Sequence, residues 1–317
     1  MKNLKVIFMG TPNFACGILQ QLIDDHYDVI AVVSQPDKKV GRKQELQETP
    51  VKKLALQHNI PVLQPISIRE EHDEIINMKP DLIVTCAYGQ FIPEKVLEAP
   101  TYGSINVHAS LLPKLRGGAP IHKAIIYGHE VSGISIMRMI KKMDAGAVMS
   151  QAKVIIDEND TTADLHDKLV IAGAKLLSES IPRIIDGSAQ FIEQVEEEAT
   201  FAYNISKEEE FISFARPIDE VYNHIRGLIP FPVGYGIINT KKIKFHKVRK
   251  KYEHHEYPLG TFVGIIDDAV AIACQGGFIL IYEIQMEGKA KMDAKAFYNG
   301  VGKQFVNAAF VSELVGR

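Results

Sequence analysis

Short apolar runs alternate with amphipathic stretches along the first half of the chain. KVIFMG (5–10), DVIAVVS (28–34) and PDLIVTCAYG (80–89) are rich in Val and Ile and do not alternate, the pattern of strands covered on both faces of a parallel sheet. FACGILQQLIDD (14–25) carries a helical period between the first two. SINVH (104–108) differs: Ile105 and Val107 are apolar and Asn106 and His108 polar, so the strand period of two places Asn106 and His108 on one face.

Farther along, GISIMRM (133–139) reads as a strand, AGAVMSQAKVII (145–156) as a hairpin-like strand pair, and TADLHDKLVIAGAKLLSESIPRII (162–185) as a long amphipathic helix. A charge-rich, apolar-poor stretch follows, and we place a linker at 189–206. Beyond it the pattern predicts one helix over 208–228, interrupted near Pro217, and five short strands: GYGIIN, KIKFHKV, GTFVGII, AVAIACQ and FILIYEIQ. The fold expected is a doubly wound, Rossmann-like α/β domain over 1–188, followed by a small OB-like β-barrel domain over 207–317.

A length of 317 residues with 46% hydrophobic and 24% charged content is that of a globular protein with a sizeable core. The formal net charge of −3 excludes a molecule that is basic throughout, so an anionic partner must meet a local patch. Cys16, Cys86 and Cys274 are odd in number and far apart, which fits neither a disulfide framework nor a zinc site and points to a reducing compartment. The N-terminal apolar run VIFM is too short for a signal segment, and no later run reaches membrane-spanning length. A cytoplasmic protein is expected.

The glycines of FMGTPNFACG follow a strand and open a helix, but Pro12 stands where a dinucleotide-binding loop needs its second glycine. A tight turn with Thr11 or Asn13 capping the helix is the better reading. QPDKKVGRKQELQETPVK holds Lys38, Lys39, Arg42, Lys43 and Lys52 at a strand's carboxyl end and by itself reads first as a solvated loop, with a phosphate-contacting loop as the alternative. Asp144, before Ala145 and Gly146, is by itself turn chemistry. With Asn106 and His108 it becomes a workable set for acyl transfer: amide and imidazolium against an oxyanion, carboxylate to orient the ring. Ser110 lacks a nucleophile elbow, so direct transfer between two bound substrates is preferred to a covalent serine route. KKIKFHKVRKK (241–251) has seven cations and no acid. Alternation puts Lys242, Lys244 and His246 on one face and Lys247 on the other, either as a guarded edge or as a polyanion-binding rail.

Taken together, NVHASLLPKLRGGAPI, the later MDAG, the N-terminal IFMGTPNFA, the loop QPDKKVGR and the C-terminal IQMEGKAKM resemble the methionyl-tRNA formyltransferase family, end to end. The resemblance implies Asn106, His108 and Asp144 as the catalytic trio. It implies Ser110, Leu111, Leu112 and Pro113 as part of the site for the formyl donor 10-formyltetrahydrofolate, with no metal. It also implies that Arg42 reaches the acceptor end of initiator Met-tRNA with Lys43 beside it, that the second domain binds tRNA with Lys242 and Lys244 on its basic rail, and that the protein is a monomer. Members often have a Trp within the segment that reads PFPVGYG here; Phe231 is expected to take over its packing. The competing activities are formyltetrahydrofolate hydrolysis and formyl transfer to an amino sugar or to glycinamide ribonucleotide.

Overall fold

The computed structural model of the protein describes residues 4–41 and 44–314. In chain order its first elements are β1 (Lys5–Gly10), α1 (Asn13–Asp24), β2 (Asp28–Val33), β3 (Lys38–Val40), β4 (Glu45–Gln47), α2 (Pro50–Gln57), β5 (Val62–Leu63), α3 (Asp73–Asn77), β6 (Leu82–Cys86), α4 (Glu94–Leu97) and β7 (Ser104–His108). Then come α5 (Pro120–Ile126), β8 (Val131–Arg138), β9 (Val148–Ile155) and α6 (Thr162–Ile185). The remainder holds α7 (Ile218–Arg226), β10 (Tyr235–Ile238), β11 (Lys241–Tyr252), β12 (Phe262–Ile266), β13 (Ala269–Cys274), β14 (Gly277–Met286), β15 (Met292–Asp293) and α8 (Ala294–Gly300).

Two compact units interleave along the sequence. The first comprises 1–120, 131–155 and 166–203; the second comprises 121–130, 156–165 and 204–317. Most of the stretch read as a linker, up to Tyr203, therefore packs in the first unit.

A seven-stranded sheet in the order β5-β2-β1-β6-β7-β8-β9 organises the first unit. It is parallel through β7, as the apolar runs predict. The last two strands are antiparallel, and the hairpin expected within 145–156 is instead formed by β8 with β9, the whole of 148–155 being one strand. One face buries Ile7, Met9, Ala31, Val33 and Ile83 with Val96 of α4. On α6, a Cβ at Gly173 would lie 3.1–3.5 Å from Ile18, Val107 and Ile134. Gly10 has no room for a side chain, since a Cβ would approach Ala15 and Phe8 to 2.7 Å and the Cys86 carbonyl to 2.9 Å. Close packing, not nucleotide approach, requires that glycine. Neither expected cap is made: Pro12 is the N-cap of α1 without a side-chain bond, and the Thr11 hydroxyl donates instead to the Tyr88 carbonyl at 2.7 Å.

All five strands expected in the second unit are present, and they pair in the order β10-β11-β14-β13-β12, with β15 added to β14. The sheet is antiparallel; among the described residues no ladder joins β10 to β12 directly, and residues 307–311 run between these two edges, the Asn307 N–H donating to the Phe262 carbonyl and the Val311 N–H to the Ile237 carbonyl, each at 2.9 Å. The helix expected from 208 is confined to α7: Phe211 bridges Tyr235 in parallel and the helix begins after Pro217, whose ring removes the N–H a continuing helix would need. Val221, Tyr222 and Ile225 of α7 pack on Ile243, Phe245 and Val248 of β11. Register shifts in the β11–β14 ladder between Phe245 and Val248 reset the alternation. Val248 thereby returns to the core, and Lys247, predicted to face away from Lys242 and Lys244, is exposed. Phe231 does not take a packing role; it is 77% exposed.

Candidate active site

Asn106 and His108 project from β7, which lies between β6 and β8. Thr85 is the register partner of Asn106 on one side, and Ser135 that of His108 on the other. The Thr85 hydroxyl donates to Asn106 Oδ1 at 2.9 Å. With its oxygen so occupied, the Asn106 amide presents its N–H groups, the polarity an oxyanion needs.

His108 is buried, and both ring nitrogens face acceptors. Nε2 lies 3.1 Å from the Leu115 carbonyl, and Nδ1 lies 3.8 Å from Asp144 Oδ1. A neutral ring serves one of these; a protonated ring donates toward both. Asp144 occupies the turn between β8 and β9 with a left-handed φ of 49°, a conformation that Asp and Asn tolerate better than other side-chain-bearing residues. Its other oxygen, Oδ2, accepts from the Gly117 N–H at 2.8 Å.

The chain after β7 is held from below. Ser135 Oγ donates to the Ser110 carbonyl at 2.6 Å and accepts from the Leu112 N–H at 3.0 Å. Gln151 Nε2 donates to Ser135 Oγ at 2.8 Å and to the Leu112 carbonyl at 2.9 Å. Ser110 Oγ donates to the Lys114 carbonyl at 2.6 Å. Ser110 and Leu112 are buried, whereas Leu111 and Pro113 are half-exposed. The first pair thus shapes the turn, and the second pair offers it a surface.

Residues 192–202 cross this loop as a strap that sequence reasoning missed, because its charge density reads as solvated chain. Gln194 Nε2 donates to the carbonyls of Asp144 and Gly146 at 2.9 and 2.8 Å. Thr200 Oγ1 accepts from the Leu115 N–H at 2.9 Å, and the Thr200 carbonyl from the Arg116 N–H at 2.9 Å. The buried Arg116 guanidinium donates to Gln194 at 3.0 Å and pairs with Glu196 at 2.9 Å. Lys142 and Arg116 hold the Glu196 carboxyl below the usual carboxylate range. The strap therefore fixes both groups that face His108, the Asp144 turn and the Leu115 carbonyl. Thr85 also escaped the sequence reading, although it is the one hydroxyl in the apolar run LIVTC.

The other expected site residues are distributed elsewhere. Arg42 and Lys43 fall in sequence between β3 and β4 and lie outside the described residues. Lys52, from the same basic stretch, is paired with Asp37 at 2.6 Å. In the second unit, Lys242 stands over the Tyr235 ring at 3.6 Å and Lys244 donates to the Pro232 carbonyl at 3.2 Å. A cleft in that unit is lined by His254, His255, Tyr257 and Cys274 and includes none of the expected site residues. No group of three or more His, Cys, Asp or Glu among the described residues is placed to hold a metal ion, and no helix among them is long and apolar enough to cross a membrane.

An amide, an imidazole and a carboxylate gathered at the carboxyl edge of a Rossmann-like sheet are groups that suit a group transferase acting on two bound substrates. Two family models agree with that class: formyl transferase over residues 2–181 and the formyl transferase C-terminal domain over 204–302. The methionyl-tRNA formyltransferase of Geobacillus sp. (strain WCH70) is 50% identical over 302 residues, covering 94% of this chain and 95% of its own. That of Bacillus thuringiensis subsp. konkukian (strain 97-27) is 50% identical over 300 residues, covering 94% and 96%. The protein belongs to the formyl transferase family and, within it, to the methionyl-tRNA formyltransferases. Its fold is also that of an N-formyltransferase from Helicobacter canadensis, solved with folinic acid and dTDP-3-aminofucose. The TM-score is 0.67 at 22% identity over 88% of this chain and 98% of that one.

Proposed function

We propose that the protein transfers the formyl group of 10-formyltetrahydrofolate to the free amino group of methionyl-initiator tRNA, supplying translation initiation. The observation that carries the chemistry is the meeting of His108 with Asp144 at 3.8 Å beside an Asn106 whose amide is oriented by Thr85. The methionyl nitrogen attacks the formyl carbon, forming a C–N bond and an oxyanion. Asn106 N–H and the His108 Nε2–H, released from the Leu115 carbonyl, donate to that oxygen. Collapse restores the carbonyl, breaks the bond to N10, and passes the proton shed by the amine to the folate nitrogen. Asp144 orients the ring and sustains its charge during these steps.

Leu111 and Pro113, on the turn shaped by Ser110 and Leu112, provide the surface for the folate. Arg42 and Lys43 contact the tRNA acceptor end, and the second unit, read as OB-like from its five-strand pattern, holds the tRNA backbone through Lys242 and Lys244. We assign the enzyme to the cytoplasm as a monomer. Identity of 50% to methionyl-tRNA formyltransferases supports this acceptor over an amino sugar, since the N-formyltransferase solved with dTDP-3-aminofucose shares only 22%. The test supplies 10-formyltetrahydrofolate with Met-tRNA, with an amino sugar, or with neither. Formyl-Met-tRNA should be the product; formylated sugar or free formate as the main product would replace the reading.

A further inference from the structure

Phe201 and Tyr203 flank Ala202 on the strap, and their rings stack with centroids 5.8 Å apart and planes within 5°. Packing does not account for them: Phe201 is 42% exposed and Tyr203 65%. The backbone beneath is fixed. Ala202 is buried, its N–H donates to the Arg116 carbonyl at 2.7 Å, and its carbonyl accepts from the Ala119 N–H at 3.0 Å. Gly117 allows this approach, because a Cβ there would lie 2.8 Å from the Ala202 oxygen. The aromatic pair is thus tied to residues 115–119, the loop whose Leu115 carbonyl meets His108. Lys114 is exposed on the same loop, next to Pro113, whose carbonyl accepts from the Thr200 N–H at 3.3 Å. It forms no ion pair among the described residues.

A parallel pair of exposed aromatic rings, on a strap bonded to the loop that carries an exposed lysine, is a combination suited to unpaired nucleotides, ring against base and ammonium against phosphate. Its solvent-facing position suits the end of a polymer arriving from outside better than a folate ring, which would be enclosed. We infer that Phe201 and Tyr203 form a stacking platform for an unpaired base of the tRNA acceptor end, with Lys114 on the adjoining phosphate, so that the aminoacyl group is delivered to the loop over His108. This rests on the Met-tRNA reading above.

The experiment measures steady-state formylation by wild type, Tyr203→Ala, Phe201→Ala/Tyr203→Ala and Phe201→Tyr. The acceptors are Met-tRNA and Met-tRNA made abasic at each unpaired acceptor position in turn. The double variant should raise KM for Met-tRNA about tenfold, more than it lowers kcat, as expected for loss of base stacking. KM for 10-formyltetrahydrofolate should stay constant, and Phe201→Tyr should behave as wild type. One abasic tRNA should cost wild type a similar factor and cost the double variant almost nothing further. An unchanged KM for Met-tRNA, a rise in KM for the folate instead, or equal abasic penalties in both enzymes would each overturn the platform. If the double variant does not fold, the 65%-exposed Tyr203→Ala carries the same comparison. Failure of wild type to formylate intact Met-tRNA would overturn the functional reading itself.

Discussion

Each unit encloses a histidine between two fixed partners, and the partners are of opposite kinds. His108 faces two acceptors, the Leu115 carbonyl and the Asp144 carboxylate. His224 on α7 has its Nε2 2.7 Å from the Glu209 carbonyl, but its Nδ1 accepts from the Arg216 guanidinium at 2.7 Å. A proton gained by His108 has an acceptor waiting; a proton gained by His224 meets a donor that is already a cation. Burial pushes the His224 pKa down to about 4; the Glu209 carbonyl works against that shift and Arg216 adds to it. The two rings thus share an acceptor at Nε2 and differ at Nδ1, where His108 faces a carboxylate and His224 a guanidinium.

The comparison breaks most visibly at His108. His108→Ala and Asn106→Ala should each lower turnover by roughly a hundredfold to ten-thousandfold, the scale for a lost acid/base group or oxyanion donor, with folate binding changing less. Asp144→Asn should lower turnover by about a hundredfold. It is a clean substitution because Asn tolerates the left-handed backbone at φ 49° and can still accept from the Gly117 N–H. Steady-state kinetics with both substrates decide the matter; near-normal turnover in all three variants would return these residues to structural roles.

His224 should instead register in stability. Its folded pKa of about 4 lies below the ordinary 6.5, so below pH 6.5 the unfolded chain takes up a proton that the folded chain refuses. Stability from this group is complete above pH 6.5, declines as pH falls toward 4 and levels off below that. The loss amounts to at most about 3 kcal/mol. Denaturant titrations of wild type and His224→Gln between pH 8 and pH 4 measure it, and identical acid slopes in the two proteins would remove His224 as the cause.

From sequence the two histidines could be told apart only partly. SINVH marks His108 because Asn106 shares its strand face, and MDAG supplies a carboxylate to go with them. In YNHIRGL nothing marks His224, since Arg216 and Glu209 reach it from a segment that reads as helix and is not one. The parallel strands were legible as unbroken apolar runs, and α6 and the five C-terminal strands from patterns equally local to their own segments. The antiparallel edge of the first sheet, the interleaving of the two units and the strap over 192–202 are set by contacts between distant positions, such as Gln194 with Asp144. Phe231 stayed exposed despite its aromatic ring, and the register shifts after Phe245 inverted the expected face of Lys247, neither of which composition reveals.

A finer break concerns orientation. Thr85→Val keeps shape but removes the hydroxyl that occupies Asn106 Oδ1, freeing the amide to present either end. Turnover should fall about tenfold, the worth of one buried hydrogen bond of ordinary strength, while Thr85→Ser retains most activity. If Val at this position were harmless, Asn106 would be oriented by its substrates and the site would not be preorganised.

The smallest effect should come from the basic strand, which the proposed function assigns to tRNA affinity rather than to chemistry. Its seven cations are not equivalent. Lys250 pairs with Asp219 at 2.6 Å and Lys251 with Asp267 at 2.9 Å, so both are neutralised within the protein. Lys244 is partly occupied by the Pro232 carbonyl. Lys242, over an aromatic ring, and Lys247, brought to the exposed side by the break in register, keep their charge for an outside partner. Lys242→Gln and Lys247→Gln should each flatten the log–log salt dependence of tRNA affinity by up to about one unit, the contribution of a single phosphate contact. Lys244→Gln should do less, and Lys250→Gln or Lys251→Gln almost nothing, with kcat at saturating tRNA held in all five. Equal slopes across the series would mean that these lysines only guard an edge of the sheet, whereas a uniform reduction would mean that the ion pairs to Asp219 and Asp267 open when tRNA binds.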